Sequence, residues 1–141
     1  MKRTASATWS GPIKGGQGSI STASGVLADT PYGFQTRFEN QPGTNPEELI
    51  GAAHAGCFTM ALAAQLGEAG LRPERLMTTA TVSLDKVGDG YSISAVHLDL
   101  VARVPGASRQ DFMKRAEQAK TGCPVSKLFN TSITLDAKLE E

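Results

Sequence analysis

The sequence predicts a single α+β domain in which helices pack against a mostly antiparallel sheet. Three features indicate this fold class: one long apolar helical segment, one strong hairpin signal, and a second helical segment before a final strand. In chain order the predicted elements are strands, a helix, strands, a helix and a strand. Helices that are segregated from a mostly antiparallel sheet in this way are typical of α+β proteins. The 141 residues are enough for one domain, residues 1–141, whose core needs no disulfide bond or structural metal to be stable.

The N-terminal third predicts three short strands. Residues 2–10 are rich in small and β-branched side chains and end at a Gly-Pro break, which indicates a strand and then a turn. Residues 19–24 alternate small polar residues with Ile20 and Ala23, as in a half-buried strand. A further short strand is expected over residues 34–38.

The long apolar segment predicts a helix with clear start and stop signals. Asn45 precedes a proline, and Glu48 follows three residues after Asn45, as in a capping box. The helix should run to residue 67 or 68 and stop at Gly70. Residues 49–66 leave almost no polar face, so the helix should be buried on all sides. A single thin domain can hardly cover a helix roughly 35 Å long, and this predicts a partner subunit.

The C-terminal half predicts a hairpin, a helix and a last strand. Strands over 78–87 and 91–104 flank Gly88-Asp89-Gly90, a strong hairpin signal. Ser108 should cap a helix that ends near residue 120. Residues 131–139 alternate apolar and polar side chains, as expected for a final strand.

Composition excludes several classes of partner. The 14 basic and 14 acidic side chains balance, so no net charge attracts nucleic acid or an anionic membrane. We expect no signal peptide, because no apolar stretch follows the N-terminal residues. His54 and Gln65 interrupt the long apolar segment, which argues against a membrane span. The resulting prediction is a cytoplasmic protein, in which a bond between cysteines would be transient.

The chain has two cysteines, and both lie where a thiol can be reactive. Cys57 is in the middle of the apolar helix, and Cys123 precedes a proline that should open a short helix. A thiol among apolar side chains has a raised pKa and is inert unless a cation stabilises its thiolate. Arg37 is the nearest candidate cation, and Glu47 could supply the acidic partner that an arginine in an apolar cleft needs.

Helix geometry separates this arginine from the thiol within one chain. Glu47 and Cys57 are ten residues apart on one predicted helix, roughly 15 Å along its axis. An Arg37 held by Glu47 could hardly reach Cys57 of the same helix. Two antiparallel helices related by a two-fold axis would bring Glu47 of one chain near Cys57 of the other, which predicts a dimer with shared sites.

Simpler interpretations of these residues stay open at this point. A buried Cys57 could be only a small hydrophobe. Glu47 in the first turn could only complement the helix dipole. Arg37 could be a solvated strand residue, and Cys123 a packed turn residue.

A zinc site is a second alternative. His54 and Cys57 share one helix face, and Cys123 and His97 would complete a Cys2His2 set. The ligands are scattered, so the sequence favours His54 as a hydrogen-bonded core or interface residue and His97 as an outward residue. No metal is therefore predicted.

Three segments resemble the OsmC/Ohr family. They are Gly-Phe-x-Thr-Arg-Phe over 33–38, the run from Gly43 to Phe58, and Lys-x-Gly-Cys-Pro-Val-Ser over 120–126. Residues 21–27 and 82–87 resemble the OsmC branch more than the Ohr branch. The resemblance extends from the Trp-Ser-Gly opening at 9–11 to the strand at 133–135.

The resemblance implies a thiol-dependent peroxidase that reduces organic hydroperoxides, and hydrogen peroxide less well, in oxidative and osmotic stress defence. It implies an intertwined homodimer, with two sites at the subunit interface and a long buried central helix. Cys57 matches the peroxidatic cysteine, Cys123 the resolving cysteine, Arg37 the activating arginine and Glu47 its carboxylate partner. No bound cofactor is implied, only an external dithiol reductant. The apolar wall of the substrate pocket is predicted to include Leu49, Ile50, Phe58 and Met60. The alternative is a non-catalytic relative that binds a small apolar ligand.

Overall fold

A computed structural model describes residues 1–141, which form two compact units, Met1–Leu49 and Ile50–Glu141. The first unit contains a three-stranded antiparallel sheet of β1 (Ala5–Ser10), β2 (Gln17–Thr22) and β3 (Thr30–Tyr32), in that order. The strands β1 and β2 match the prediction, whereas β3 was not predicted.

The prediction of a strand at residues 34–38 is wrong, because this segment forms the short helix α1 (Phe34–Phe38). The cause is local hydrogen bonding at its start. The backbone N–H of Gly33 donates to Thr36 Oγ1 at 2.9 Å, and the Thr36 hydroxyl donates to the Gly33 carbonyl at 3.0 Å. Such Ser/Thr bonds to nearby backbone favour a helical turn over a strand.

The long helix α2 (Pro46–Glu68) begins in the first unit and continues in the second. Its predicted cap is confirmed, since Asn45 Oδ1 accepts from the Glu48 N–H at 2.8 Å. The predicted end is also confirmed, because Gly70 has a φ of +71°, the left-handed conformation that terminates helices.

Within one chain α2 is buried along one row only: Gly51, His54, Phe58, Leu62 and Leu66. The opposite row is exposed: Ala52, Ala53, Gly56, Met60, Ala64 and Gly67. By length and composition alone α2 could cross a membrane, contrary to the expectation that His54 and Gln65 interrupt it too strongly. The core helix of a soluble protein passes the same test, so this is weak evidence. The chain alone therefore does not bury α2 on all sides.

The second unit contains a sheet in the order β4 (Arg75–Val87), β5 (Gly90–Arg103) and β6 (Ser132–Glu140). The predicted hairpin joins β4 to β5 in antiparallel pairing, with Val87 opposite Gly90. β6, however, pairs parallel to β5, which corrects the expectation of a mostly antiparallel sheet here. A parallel neighbour requires a crossover connection, and two helices supply it.

The crossover consists of α3 (Arg109–Gly122) and α4 (Pro124–Leu128). Ser108 caps α3 as predicted, since its Oγ accepts from the Asp111 N–H at 3.1 Å. The core of this unit joins the inward face of β5 to one face each of α2 and α3. Its fully buried large members are Phe58, Leu62, Leu66, Val96, Leu98, Leu100 and Phe112. This core holds α2 and the start of α4 in place, and each carries one cysteine.

Candidate active site

The two cysteines meet inside the second unit. Cys57 is half-buried on α2, and Cys123 is fully buried as the N-cap residue of α4. Their Sγ atoms lie 2.9 Å apart, and both are free thiols. A disulfide bond of about 2.05 Å would form here after a further approach of the two sulfurs, once an oxidant removes two electrons and both thiol protons leave. The structure thus brings together two predicted site residues that are far apart in sequence.

Cys123 has the more stabilised thiolate of the two. Burial raises the pKa of its thiol, but hydrogen bonds from Cys57, from the backbone and hydroxyl of Ser126, and from the Val125 backbone lower it. The hydrogen bonds prevail, so the pKa of Cys123 is lowered overall. Thiolate character at this position suits a nucleophile that attacks another sulfur.

Cys57 shows the opposite direction. Burial raises the pKa of its thiol, and the hydrogen bond to Cys123 raises it further, against a smaller lowering by the Val125 backbone. A thiol in this state is mostly protonated at neutral pH and reacts slowly with peroxide. No cationic side chain is among the groups that shift the pKa of Cys57.

A buried histidine lies behind the pair. His54 is fully buried, and its Nε2 lies 2.7 Å from the Ser126 Oγ. Burial lowers the pKa of His54, so the ring is neutral. The edge of Phe129 packs against it with ring centroids 5.0 Å apart. His54 is thus a hydrogen-bonded core residue, the role that the sequence favoured over zinc binding.

The other residue of the Cys2His2 alternative, His97, belongs to a different cluster. It lies on β5 beside Asp99 and Asp136, with Nε2 to carboxylate distances of 3.4 and 3.2 Å. The two carboxylates are well exposed, and exposed acidic groups are common without a bound ion. The four residues of the zinc alternative do not form one ligand group.

In the first unit the predicted arginine–carboxylate pair forms. Arg37 Nη2 lies 2.7 Å from Glu47 Oε1, and Arg37 Nε lies 3.2 Å from both carboxylate oxygens. The side chain of Glu47 is 12 % exposed, whereas Arg37 is 37 % exposed. A two-point contact of this kind fixes the guanidinium plane and leaves its other edge free for a ligand.

Arg37 also borders an apolar cavity that the sequence did not predict. The cavity measures about 230 Å³ and is lined mainly by aromatic and aliphatic side chains. These include Trp9, Ile13, Tyr32, Phe34 and Phe38. The spacing of Phe34 and Phe38 on either side of Arg37 was the available signal, but an expected strand would have placed these rings differently.

The predicted pocket residues are not gathered in one cavity of the chain. Phe58 is fully buried in the core of the second unit. Met60 is 76 % exposed and borders a shallow groove with Gly56 and Met77. Leu49 and Ile50 are half-buried on α2. Ser126, which contacts His54, was missed as a site residue. It closes the family-like segment 120–126, but the resemblance gave it no role.

Known proteins share both sequence and fold with this chain. The family model for OsmC-like proteins matches residues 38–138. Peroxiredoxin OsmC of Escherichia coli is 54% identical over 134 residues, covering 95% of this chain and 94% of that protein. Organic hydroperoxide resistance protein-like 2 of Staphylococcus epidermidis is 32% identical over 97 residues, covering 66% of each chain.

Solved structures share the fold of this chain. The organic hydroperoxide resistance protein OhrB of Bacillus subtilis has a TM-score of 0.68 at 27% identity, with 97% of this chain and 98% of that chain covered. An OsmC-like protein of Mycoplasma pneumoniae, at 11% identity, shares the fold with a TM-score of 0.78 over 100% and 99% of the two chains. With the α+β fold, the paired thiols and the matched motifs in place, the chain belongs to the OsmC family.

Proposed function

We propose that this protein is a thiol-dependent peroxidase that reduces organic hydroperoxides, and hydrogen peroxide less well, in oxidative and osmotic stress defence. The relatives named peroxiredoxin and organic hydroperoxide resistance protein support this activity. The observation that carries the proposal is the 2.9 Å contact between two free thiols. Two adjacent thiols can deliver two electrons to a peroxide and end as a disulfide.

The proposed reaction uses Cys57 as the peroxidatic cysteine. Its thiolate attacks the outer oxygen of the hydroperoxide, the O–O bond breaks, and the alcohol leaves after taking up a proton. Cys57 becomes a sulfenic acid, which condenses with Cys123 to a disulfide and water. An external dithiol then reduces the disulfide by thiol–disulfide exchange. The reductant is a substrate, and no bound cofactor enters these steps.

Cys57 requires activation, and the Arg37–Glu47 pair is its proposed source. The pKa of Cys57 is raised by burial within one chain. A guanidinium beside it would favour the thiolate, and its free edge would orient the peroxide oxygens. Since Glu47 and Cys57 are ten residues apart on α2, roughly 15 Å, we assign the activating arginine to a second subunit.

A homodimer with shared sites is therefore part of the proposal. The exposed row of α2 supports it, because this row consists of small residues and Met60 and would let another helix approach closely. An exposed apolar helix face of this length is unusual in a monomer. Cytoplasmic localisation belongs to the same proposal, since a cysteine pair that cycles needs a reducing compartment.

The apolar cavity beside Arg37 points to the substrate class. Its aromatic lining would bury an alkyl or aryl group while the guanidinium holds the peroxide end. Hydrogen peroxide has no such group and gains nothing from the cavity. On the side of Cys57, the proposed apolar wall of the substrate pocket consists of Leu49, Ile50, Phe58 and Met60.

The first test is a peroxide consumption assay with the purified protein and dithiothreitol. We expect faster turnover of cumene hydroperoxide than of hydrogen peroxide, and no turnover without the dithiol. Binding of cumyl alcohol without any peroxide consumption would instead favour the alternative, a non-catalytic protein that binds small apolar ligands. Equal rates for the two peroxides would contradict the assignment of an apolar substrate site.

Arg37→Ala should slow the oxidation of Cys57 at neutral pH. Each unit by which the pKa of Cys57 rises lowers its thiolate fraction about tenfold, so we expect at least that loss in second-order rate. The rate should recover partly at high pH, where the thiol ionises without help. Arg37→Lys is the matched control, because it keeps the charge but loses the two-point contact with Glu47, and it should be intermediate. A normal rate for Arg37→Ala at neutral pH would remove the arginine from the mechanism.

A further inference from the structure

One buried polar chain in the second unit takes no part in the steps described so far. It runs from His54 through Ser126 to Cys123. His54 is 0% exposed and Ser126 is 7% exposed, so neither side chain is a surface group. The His54 Nε2 and Ser126 Oγ atoms lie 2.7 Å apart. Ser126 is the third residue of α4, whose N-cap is Cys123, and its hydroxyl is one of the groups that lower the pKa of the Cys123 thiol.

The other ring nitrogen of His54 decides the direction of these hydrogen bonds. Nδ1 is buried and has no hydrogen-bond partner in the chain. A proton on Nδ1 would be a buried donor without an acceptor, which is rarer and more costly than an unused acceptor lone pair. We therefore assign the proton of the neutral ring to Nε2, which donates to Ser126 Oγ. The Ser126 hydroxyl hydrogen is then directed away from the histidine and can donate to Cys123 Sγ.

We propose that His54, acting through Ser126, positions and stabilises the thiolate of Cys123 for its attack on the sulfenic acid of Cys57. Both residues are positioning residues for the disulfide-forming step, and this inference rests on the proposed peroxidase function. Since Cys123 raises the pKa of Cys57 through its hydrogen bond and its charge, loss of the Ser126 hydroxyl should slow the second step without slowing the first. Hydrogen bonds to a thiolate favour ionisation, in agreement with the lowered pKa of Cys123.

The Cys123 thiol loses its proton, and the thiolate attacks the sulfur of the Cys57 sulfenic acid. An S–S bond forms as the S–O bond breaks, and the electron pair leaves on oxygen as hydroxide. The hydroxide takes up one proton to form water, which equals the proton that Cys123 released. The sulfur of Cys57 is reduced and that of Cys123 is oxidised, so no other reactant is needed.

The experiment separates the two chemical steps after one equivalent of cumene hydroperoxide. Sulfenic acid is trapped with a dimedone probe, and the Cys57–Cys123 disulfide is followed by mass spectrometry at successive times. Ser126→Ala should form sulfenic acid at or above the wild-type rate but form the disulfide at least about tenfold more slowly, the effect of a pKa one unit higher on the thiolate fraction of Cys123. Ser126→Thr keeps the hydroxyl and should restore the rate.

Two variants of the histidine test the donor assignment. His54→Gln keeps a neutral N–H donor near the position of Nε2 and should retain most of the rate of disulfide formation. His54→Leu has no donor and should be as slow as Ser126→Ala. His97→Gln is the matched control, because it makes the same change at the other histidine of the chain, and it should behave as wild type. Thermal melting establishes that each variant is folded.

A spectroscopic readout makes the test independent of turnover. In the Cys57→Ser background Cys123 is the one remaining thiol, and its ionisation can be followed by ultraviolet thiolate absorbance. Adding Ser126→Ala or His54→Leu should raise its pKa, which a purely structural role would not do. The inference is overturned if disulfide formation in folded Ser126→Ala matches wild type, or if sulfenic acid formation slows in parallel with it. Absence of sulfenic acid in the wild type would instead refute the peroxidase function itself.

Discussion

Cys57→Ser is expected to reduce peroxide turnover to the uncatalysed background. A serine hydroxyl is not ionised at neutral pH and is a weak nucleophile toward peroxide without an adjacent base. The measurement is consumption of cumene hydroperoxide in the presence of dithiothreitol. Turnover of more than a small fraction of the wild-type value would remove Cys57 from the nucleophilic role.

Cys123→Ser is the matched control, because it removes the other thiol of the same pair. Cys57 remains, so its first oxidation should proceed. The sulfenic acid then has no neighbouring thiol, and it should persist and be over-oxidised to the sulfinic acid on repeated exposure. Mass spectrometry should show added oxygen on Cys57 and no intramolecular disulfide. A wild-type protein without a Cys57–Cys123 disulfide after one equivalent of peroxide would contradict the two-cysteine mechanism.

The parts of the fold with local signals were predictable from the sequence. The Asn45 cap, the Gly70 stop and the two-residue turn before Gly90 depend on residues within one turn of each other, and all three are confirmed. The helix at 34–38 was missed because its start depends on the Gly33–Thr36 hydrogen bonds, which compete with β-favouring aromatic residues. The parallel pairing of β6 was also missed, because alternation in a strand shows which face is buried and not the direction of its neighbour.

The site likewise contains contacts that have signals in the sequence and contacts that depend on how distant elements pack. Arg37 and Glu47 were predicted as a pair from charge and burial arguments, and they form one. The Cys57–Cys123 contact joins positions 66 residues apart. The placement of the two cysteines suggested a transient redox pair, whereas their peroxidatic and resolving roles were expected only through the family resemblance. The His54–Ser126 contact, at a separation of 72 residues, was not predicted, although His54 was expected to be a hydrogen-bonded core or interface residue. Such contacts depend on how the crossover helices pack on α2, which periodicity does not specify.

The second large prediction concerns where the activating arginine comes from. Burial raises the pKa of Cys57 within one chain, and the Arg37–Glu47 pair is anchored ten residues earlier on α2. The exposed row of small residues on α2 provides a surface on which a second α2 can pack. If the helices pack antiparallel about a two-fold axis, each site combines Cys57 of one subunit with the Arg37–Glu47 pair of the other.

Heterodimers that carry the same two mutations in different arrangements test this directly. A Cys57→Ser chain paired with an Arg37→Ala chain should regain one complete site, with about half the wild-type activity if the sites act independently. A wild-type chain paired with the Cys57→Ser/Arg37→Ala double variant should have no complete site, because each site then carries one lesion. Differently tagged, co-expressed chains would allow both heterodimers to be purified and assayed with cumene hydroperoxide. If each chain built its own site, the two results would be reversed, and the shared-site dimer would be refuted even with the peroxidase activity intact.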